Sequence, residues 1–416
     1  MANDRFRGWW IVAVTCAIVL LSNGLTLGGI TVFDRDLMSA LGVGRAELKF
    51  RDLVQMLTAA VAAPFLGALA DRFGVRPLMV LGLAALSVGF ASYPWVNTVQ
   101  QVYALHVILG LGLSSTGLVL CVSVVARWFE THKGIALGLV LAGGSLGNAL
   151  LPLLNTMLNQ QLGWQRAFMV IAALPLALVP LVIWLVRERP EDVNQRPYGA
   201  MPQLISARIA AAASVRTLKE GPRFAAAVRT REFACLGVIA FCTFSALVGV
   251  TTHLFLYLRD RGLTDTVAAS GLTVLFLMGL IGKLLAGAMA DRLGLKPTLI
   301  GYIVFMTSGA GGLLASGAGT PWIAIGALGL GWGGIYTLQQ MAAAEVFNGP
   351  ALGRIVGFLV LIDSIGAALG PWVIGIVYDR TGSYDLALQL IMVLLAVALI
   401  ATLLLRRAPS PAVIPR

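Results

Sequence analysis

Two ionisable residues stand inside otherwise apolar stretches. Lys283 lies in FLMGLIGKLLAGAMADRLG, and Asp363 lies in RIVGFLVLIDSIGAALGPWVIG. An ammonium can bind an anion, and a carboxylate beside it can balance charge or carry a proton. On a helix, Lys283 would sit about 12 Å from Asp291 and Asp363 about 14 Å from Arg354. If both runs cross a membrane, the two charges share a depth. Polar side chains at helical spacing could complete such a site. Tyr336 and Gln340 are four apart, as are His253 and Tyr257, and Asn23 falls midway along the first apolar run. Each could donate to a carboxylate or hydroxyl. The plainer alternatives are snorkelling for Lys283, a satisfied structural carboxylate for Asp363, and helix-to-helix hydrogen bonds for the rest. No nucleophile–base set, phosphate loop or metal cluster is present in the sequence pattern. The reading is therefore not an enzyme, with no catalytic residues, metal or cofactor.

A functional charge in an apolar run requires a membrane around it. The 416 residues are 58% hydrophobic and 12% charged, against about 25% charged in soluble domains. A helix needs about 20 apolar residues to span a bilayer. Twelve such runs occur, at about 9–33, 53–70, 78–96, 100–126, 134–158, 167–186, 233–258, 267–290, 297–317, 321–346, 353–377 and 386–405. They show no period-two alternation, so they predict helices rather than a barrel. The 47 glycines suit close helix packing in lipid.

With the N-terminus inside, the outer loops are balanced and the formal surplus of +11 falls on the inner side. The expectation is a multi-pass protein of the cell (inner) membrane with both termini cytoplasmic. The basic charge then reports topology and contact with the lipid bilayer, not nucleic acid. Cys16, Cys121, Cys235 and Cys242 lack ligand spacing and read as small apolar packing residues.

The chain repeats itself. GALADRFGVRPLM (Gly67–Met79) returns as GAMADRLGLKPTL (Gly287–Leu299), 220 residues later. Each copy follows an apolar run, and a fainter echo, GIVYDRTG, follows the eleventh. The residues Gly67, Asp71, Arg72, Gly74 and Arg76, with Gly287, Asp291, Arg292, Gly294 and Lys296, resemble the loop 2–3 signature of the major facilitator superfamily. The resemblance covers the whole chain. It implies an all-α membrane protein of twelve transmembrane helices in two pseudo-twofold six-helix bundles around a cavity, working by alternating access. It also implies a cytoplasmic latch built from the two motifs. The expected parts are an N-terminal bundle (1–187), a cytoplasmic linker with an amphipathic helix (188–231) and a C-terminal bundle (232–416).

Three stretches narrow the resemblance: FRGWWIVAVTCAIVLLSNGLTLGGITVF, ARWFETHKGIALGLVLAGGSLGNALLP and THLFLYLRDRGLT. Together they resemble the monocarboxylate transporter family and its bacterial oxalate:formate-type relatives. That resemblance implies Lys283 as the substrate carboxylate's ligand and an acidic group near Asp363. Gly28 stands where some of these carriers place a lysine, and Gly279 where they often have a proton-handling aspartate. One lysine and one carboxylate are net neutral, which favours a monocarboxylate moved with a proton. The expected partners are therefore a small organic anion and protons, handled by a monomer that keeps Lys283 and Asp363 paired when empty. An organic-anion antiporter or exporter is the alternative, and a non-transporting membrane sensor a further one.

Overall fold

The computed structural model describes residues 6–199, 224–316, 321–347 and 352–405. Twelve long helical segments follow in order: α1 (Gly8–Leu41), α2 (Arg45–Phe73), α3 (Val75–Ala91), α4 (Val99–Trp128), α5 (Lys133–Leu162), α6 (Trp164–Leu185), α7 (Arg231–Asp260), α8 (Asp265–Leu293), α9 (Leu295–Ala315), α10 (Trp322–Val346), α11 (Leu352–Thr381) and α12 (Asp385–Leu404). All but α10 are long and apolar enough to cross a membrane. α10 matches them in length with 25 residues. Five glycines (326, 329, 331, 333 and 334) and the Gln339–Gln340 pair dilute its hydropathy. Most of the expected linker helix, including Arg208, Arg216 and Lys219, lies outside the described residues.

Two segments depart from regular helices, and a third starts earlier than its apolar run. α1 passes through a π turn at Gly24–Gly28 and a 3-10 turn at Gly29–Phe33 before resuming as α-helix at Asp34. α4 breaks at Thr116–Gly117. α2 starts at Arg45, two turns earlier than its apolar run, so residues that the sequence reading places in a loop are helical. The start of α4 carries its own signal: Gln101 N–H donates to Thr98 Oγ1 at 3.4 Å, and Thr98 N–H donates back to Gln101 Oε1 at 3.3 Å.

The chain forms two compact units. Among the described residues, the first holds 6–199, 248–277 and 371–384; the second holds 224–247, 278–316, 321–347, 352–370 and 385–405. In the first unit, α5 lies directly on α1. A Cβ at Gly147 would stand 2.0 Å from Leu20 O, and one at Gly143 2.5 Å from Cys16 O. The glycines of GGSLG thus let two backbones touch. Two asparagines from α5 repair the backbone loosened by the π turn. Asn148 Oδ1 accepts from Gly28 N–H at 2.8 Å, and Asn155 Nδ2 donates to Gly29 O at 2.9 Å.

The second unit uses the same device between α8 and α10. A Cβ at Gly282 would stand 2.2 Å from Leu330 O, and one at Gly333 1.8 Å from Gly279 O. Tyr302 of α9 donates its hydroxyl to Gly282 O at 2.7 Å, which locks the seam.

The repeated motif folds the same way twice. Gly74 and Gly294 both sit at φ +88, a backbone region that favours glycine. Arg76 Nη2 donates to Ile183 O at the end of α6. Lys296 Nζ donates to Leu403 O at 2.7 Å at the end of α12. Donor and acceptor are 107 residues apart in both cases.

Candidate functional site

Four of the predicted site residues share the second unit. Lys283 is half-buried on α8, with Nζ 6.0 Å from the centre of the Trp332 ring on α10, the outer range of a cation–π contact. Tyr336 and Gln340 lie one and two turns beyond Trp332. Tyr336 is 40% exposed and sits edge-on to Phe244 of α7 at 6.2 Å. Asp363 itself is 3% exposed on α11, and neither carboxylate oxygen has a hydrogen-bond partner. The hydrogen-bonded Lys283–Asp363 pair expected from the sequence is therefore not made in this structure. One turn beyond Asp363, α11 presses on α7: a Cβ at Gly366 would stand 2.5 Å from Phe241 O. Ser245 Oγ donates to Gly366 O at 3.0 Å.

Sequence reasoning chose Gln340 and passed over its neighbour. Gln339 is the more buried of the two, and its Nε2 donates to Thr243 Oγ1 at 3.2 Å while Oε1 has no partner. The seam also accounts for a departure from the resembled family. A Cβ at Gly279 would stand 2.6 Å from the Trp332 ring, so no acidic side chain fits there beside that tryptophan.

The other three candidates belong to the first unit. His253 is buried with both ring nitrogens engaged, Nδ1 with Tyr384 Oη at 3.0 Å and Nε2 with Pro371 O at 2.9 Å. Tyr257 is buried with its ring 5.7 Å from that of Tyr384. His253 thus joins α7 to α11 through Pro371 O, and both residues meet Tyr384 just beyond the end of α11. Asn23 is half-buried, and its Nδ2 donates to Val19 O at 3.2 Å. Gly28, where some of the resembled carriers place a lysine, lies against Asn148 Oδ1, 2.8 Å from the place of a Cβ.

The same unit contains a charged cluster that the sequence reading assigned to a loop. Asp34, Lys49 and Arg51 are fully buried and Asp52 nearly so. Lys49 Nζ lies 2.5 Å from Asp34 Oδ2 and 3.6 Å from Asp52 Oδ2, and it donates to Thr252 O on α7 at 2.7 Å. Arg51 pairs with Asp34 through Nη2 and with Asp52 through Nε at 3.5 Å. Two cations and two carboxylates compensate one another, as buried charges must. Next to this cluster, the N-terminus of α2 is capped from α11: Asp379 accepts from Arg45 N–H at 3.0 Å and Ala46 N–H at 2.7 Å. The signal available in sequence was the turn Gly42–Val43–Gly44 followed by RAELKFRD, a helix start ahead of the apolar run.

The acidic members of the repeated motif are exposed. Among the described residues, neither Asp71 nor Asp291 is in an ion pair. Of the basic members, Arg76 and Lys296 cap helix ends as described above. Gly67 and Gly287 have open space around them.

With these features in place, comparison with known families gives a direct answer. The model of the Major Facilitator Superfamily matches residues 13–347 and again 260–416. The chain belongs to the Major Facilitator Superfamily. It is a multi-pass membrane transporter that moves a small molecule, and not an enzyme. Among its relatives within the superfamily are transporters from animals and bacteria. Monocarboxylate transporter 4 of Rattus norvegicus is 24% identical over 91% of this chain and 79% of its own length. An uncharacterised MFS-type transporter of Bacillus subtilis, YcxA, is 23% identical over 95% of this chain and 94% of its own. A gallate transporter of Pseudomonas putida is 24% identical over 95% and 90%.

Proposed function

We propose that this transporter carries small organic monocarboxylates of the lactate or pyruvate type together with a proton. Lys283 binds the substrate carboxylate as a point charge, with Tyr336 and Gln340 offering donors along one face of α10. Asp363 carries the proton. The observation that supports this most is Asp363 itself, a buried acid whose two oxygens have no hydrogen-bond partner. An ionised carboxylate so placed is costly unless a proton or a cation joins it. Arrival of a proton at Asp363 and of an anion at Lys283 together leave the unit's charge unchanged, which is the requirement for coupled movement through a low-dielectric barrier. The names of the relatives favour the same substrate class.

The remaining features fit this reading. The moving parts of the cycle are the sequence halves 1–187 and 232–416, joined by 188–231, although 248–277 and 371–384 group with the first unit in this structure, and the protein acts as a monomer in the cell (inner) membrane. Both termini are cytoplasmic, on the side that the excess of Lys and Arg assigns. Asp71, Arg72, Asp291 and Arg292 form the latch in the part of the cycle where that side closes.

Purified protein in proteoliposomes tests the proposal. An imposed inward proton gradient should drive uptake of labelled lactate or pyruvate. Uptake that ignores the gradient and instead needs an internal anion would make the protein an antiporter or exporter. Ligand-induced stabilisation without any flux would make it a sensor.

A further inference from the structure

Two guanidinium groups converge on one carbonyl at the end of α6. Arg76 Nη2 donates to Ile183 O, and Arg187 Nη1 donates to the same oxygen at 3.1 Å and to Val186 O at 3.0 Å. The negative pole of α6 compensates part of this charge, and the Glu188 carboxylate lies nearby against Gly74. Among the described residues neither arginine is in an ion pair. Glu188 lies 3.8 Å from Arg127, and Asp192 accepts from the Arg189 N–H at 3.1 Å.

The shared carbonyl occupies one donor on each guanidinium, and a guanidinium has five. Burial, and then the neighbouring charges of Arg76 and Arg7, push Arg187 below the ordinary arginine value, while Asp192 acts in the opposite direction. A third cation therefore bears on the same place. The adjoining surface is apolar: Trp184 is 71% exposed, and Leu181 and Ile183 more than 40%. On a membrane helix such side chains face lipid, and an exposed tryptophan at a helix end marks the headgroup level.

We propose that Arg76 and Arg187 clamp the phosphate of an anionic phospholipid at the end of α6, with its acyl chains along Trp184 and Leu181. Forked donors in a fixed plane match a phosphodiester's oxygens. In the second half Lys296 stands where Arg76 stands in the first, and its ammonium donates to both Leu403 O and Leu405 O, at 2.7 and 2.8 Å; a lysine caps there without a guanidinium's fork.

The test uses purified full-length protein in neutral detergent, titrated with phosphatidylglycerol, phosphatidylcholine or inorganic phosphate. Melting temperature is the readout, together with native mass spectrometry of bound lipid. Phosphatidylglycerol should raise the melting temperature, and the other two should not. Arg187→Gln should weaken apparent phosphatidylglycerol affinity about fivefold. Arg76→Lys reproduces the α12 cap, so it should keep the lipid-free melting temperature while losing affinity. Arg166→Gln, at the opposite end of α6, should bind as the wild type does. Equal stabilisation by phosphatidylcholine or by inorganic phosphate would overturn the lipid assignment. Unchanged phosphatidylglycerol affinity in both Arg187→Gln and Arg76→Lys would overturn the site.

Discussion

Replacing Lys49 by methionine removes one cation from a cluster that is neutral only as a set of four. Asp34 and Asp52 would then share Arg51 alone, leaving one uncompensated negative charge with no solvent to screen it. Thr252 O would also lose its donor, which lies at 2.7 Å. Breaking a buried pair in this way costs about 3–5 kcal/mol. Asp34→Asn should cost a similar amount by the opposite imbalance, since Lys49 and Arg51 would face only Asp52. The double variant Asp34→Asn/Lys49→Met restores neutrality with Arg51 and Asp52 intact. It should be far less destabilised than the sum of the single variants, with a coupling of at least about 2 kcal/mol. Unfolding in mixed micelles, followed by tryptophan fluorescence, measures all three. Additivity of the single costs to within about 0.5 kcal/mol would refute the account, because it would mean that the charges do not compensate one another.

Asp363→Asn should fold at least as stably as the wild type while its uptake loses dependence on pH, measured as initial rate against external pH. Lys283→Ala should reduce substrate uptake more than about tenfold, the scale of one lost charged contact of about 1.5–3 kcal/mol; unchanged transport would remove the lysine from the site. Gly147→Val should fail to yield folded protein, because its Cβ would lie 2.0 Å from Leu20 O; size-exclusion chromatography reads this directly. Tyr384, between α11 and α12, is raised above the ordinary tyrosine value by burial first, with Arg45 opposing. Its phenol stays neutral in the fold while the unfolded one ionises, so stability falls as pH rises above about 10. Tyr384→Phe should shed that part of the alkaline loss and lose about 2 kcal/mol at neutral pH through its bonds to His253 and to the Arg45 guanidinium, both seen in melting curves against pH.

The transmembrane plan was legible because apolar length and the repeat at Gly67 and Gly287 are properties of contiguous sequence. Even the capping bonds from Arg76 and Lys296 preserve the repeat's spacing. What escaped notice depends on contacts between distant segments. Lys49 and Arg51 look like loop charges until Asp34 and Thr252 are brought to them. His253 looks like a ligand until Tyr384 and Pro371 occupy both its nitrogens. The glycines of α5 and α8 read as generic small residues, and only the neighbouring side chains of Trp332 and Asn148 show why Gly279 and, on α1, Gly28 stay bare. Lys283 and Asp363 were visible because charge in an apolar run needs no partner to be conspicuous. Their direct pairing was an inference about distance, which composition cannot supply.

The π turn at Gly24–Gly28 sets the phase of everything after it on α1. Such a turn holds one residue more than the α-helix would over the same rise, and each residue is worth about 100° of rotation. Shortening the chain by Leu27 would remove that extra residue ahead of the 3-10 turn at Gly29–Phe33, and Asp34 would swing by about that angle away from Lys49 and Arg51. The irregularity is therefore a register device that aims a carboxylate seven residues downstream. A Leu27 deletion should destabilise the protein at least as much as Asp34→Asn, and an equally stable deletion variant would show that α1 needs no such offset.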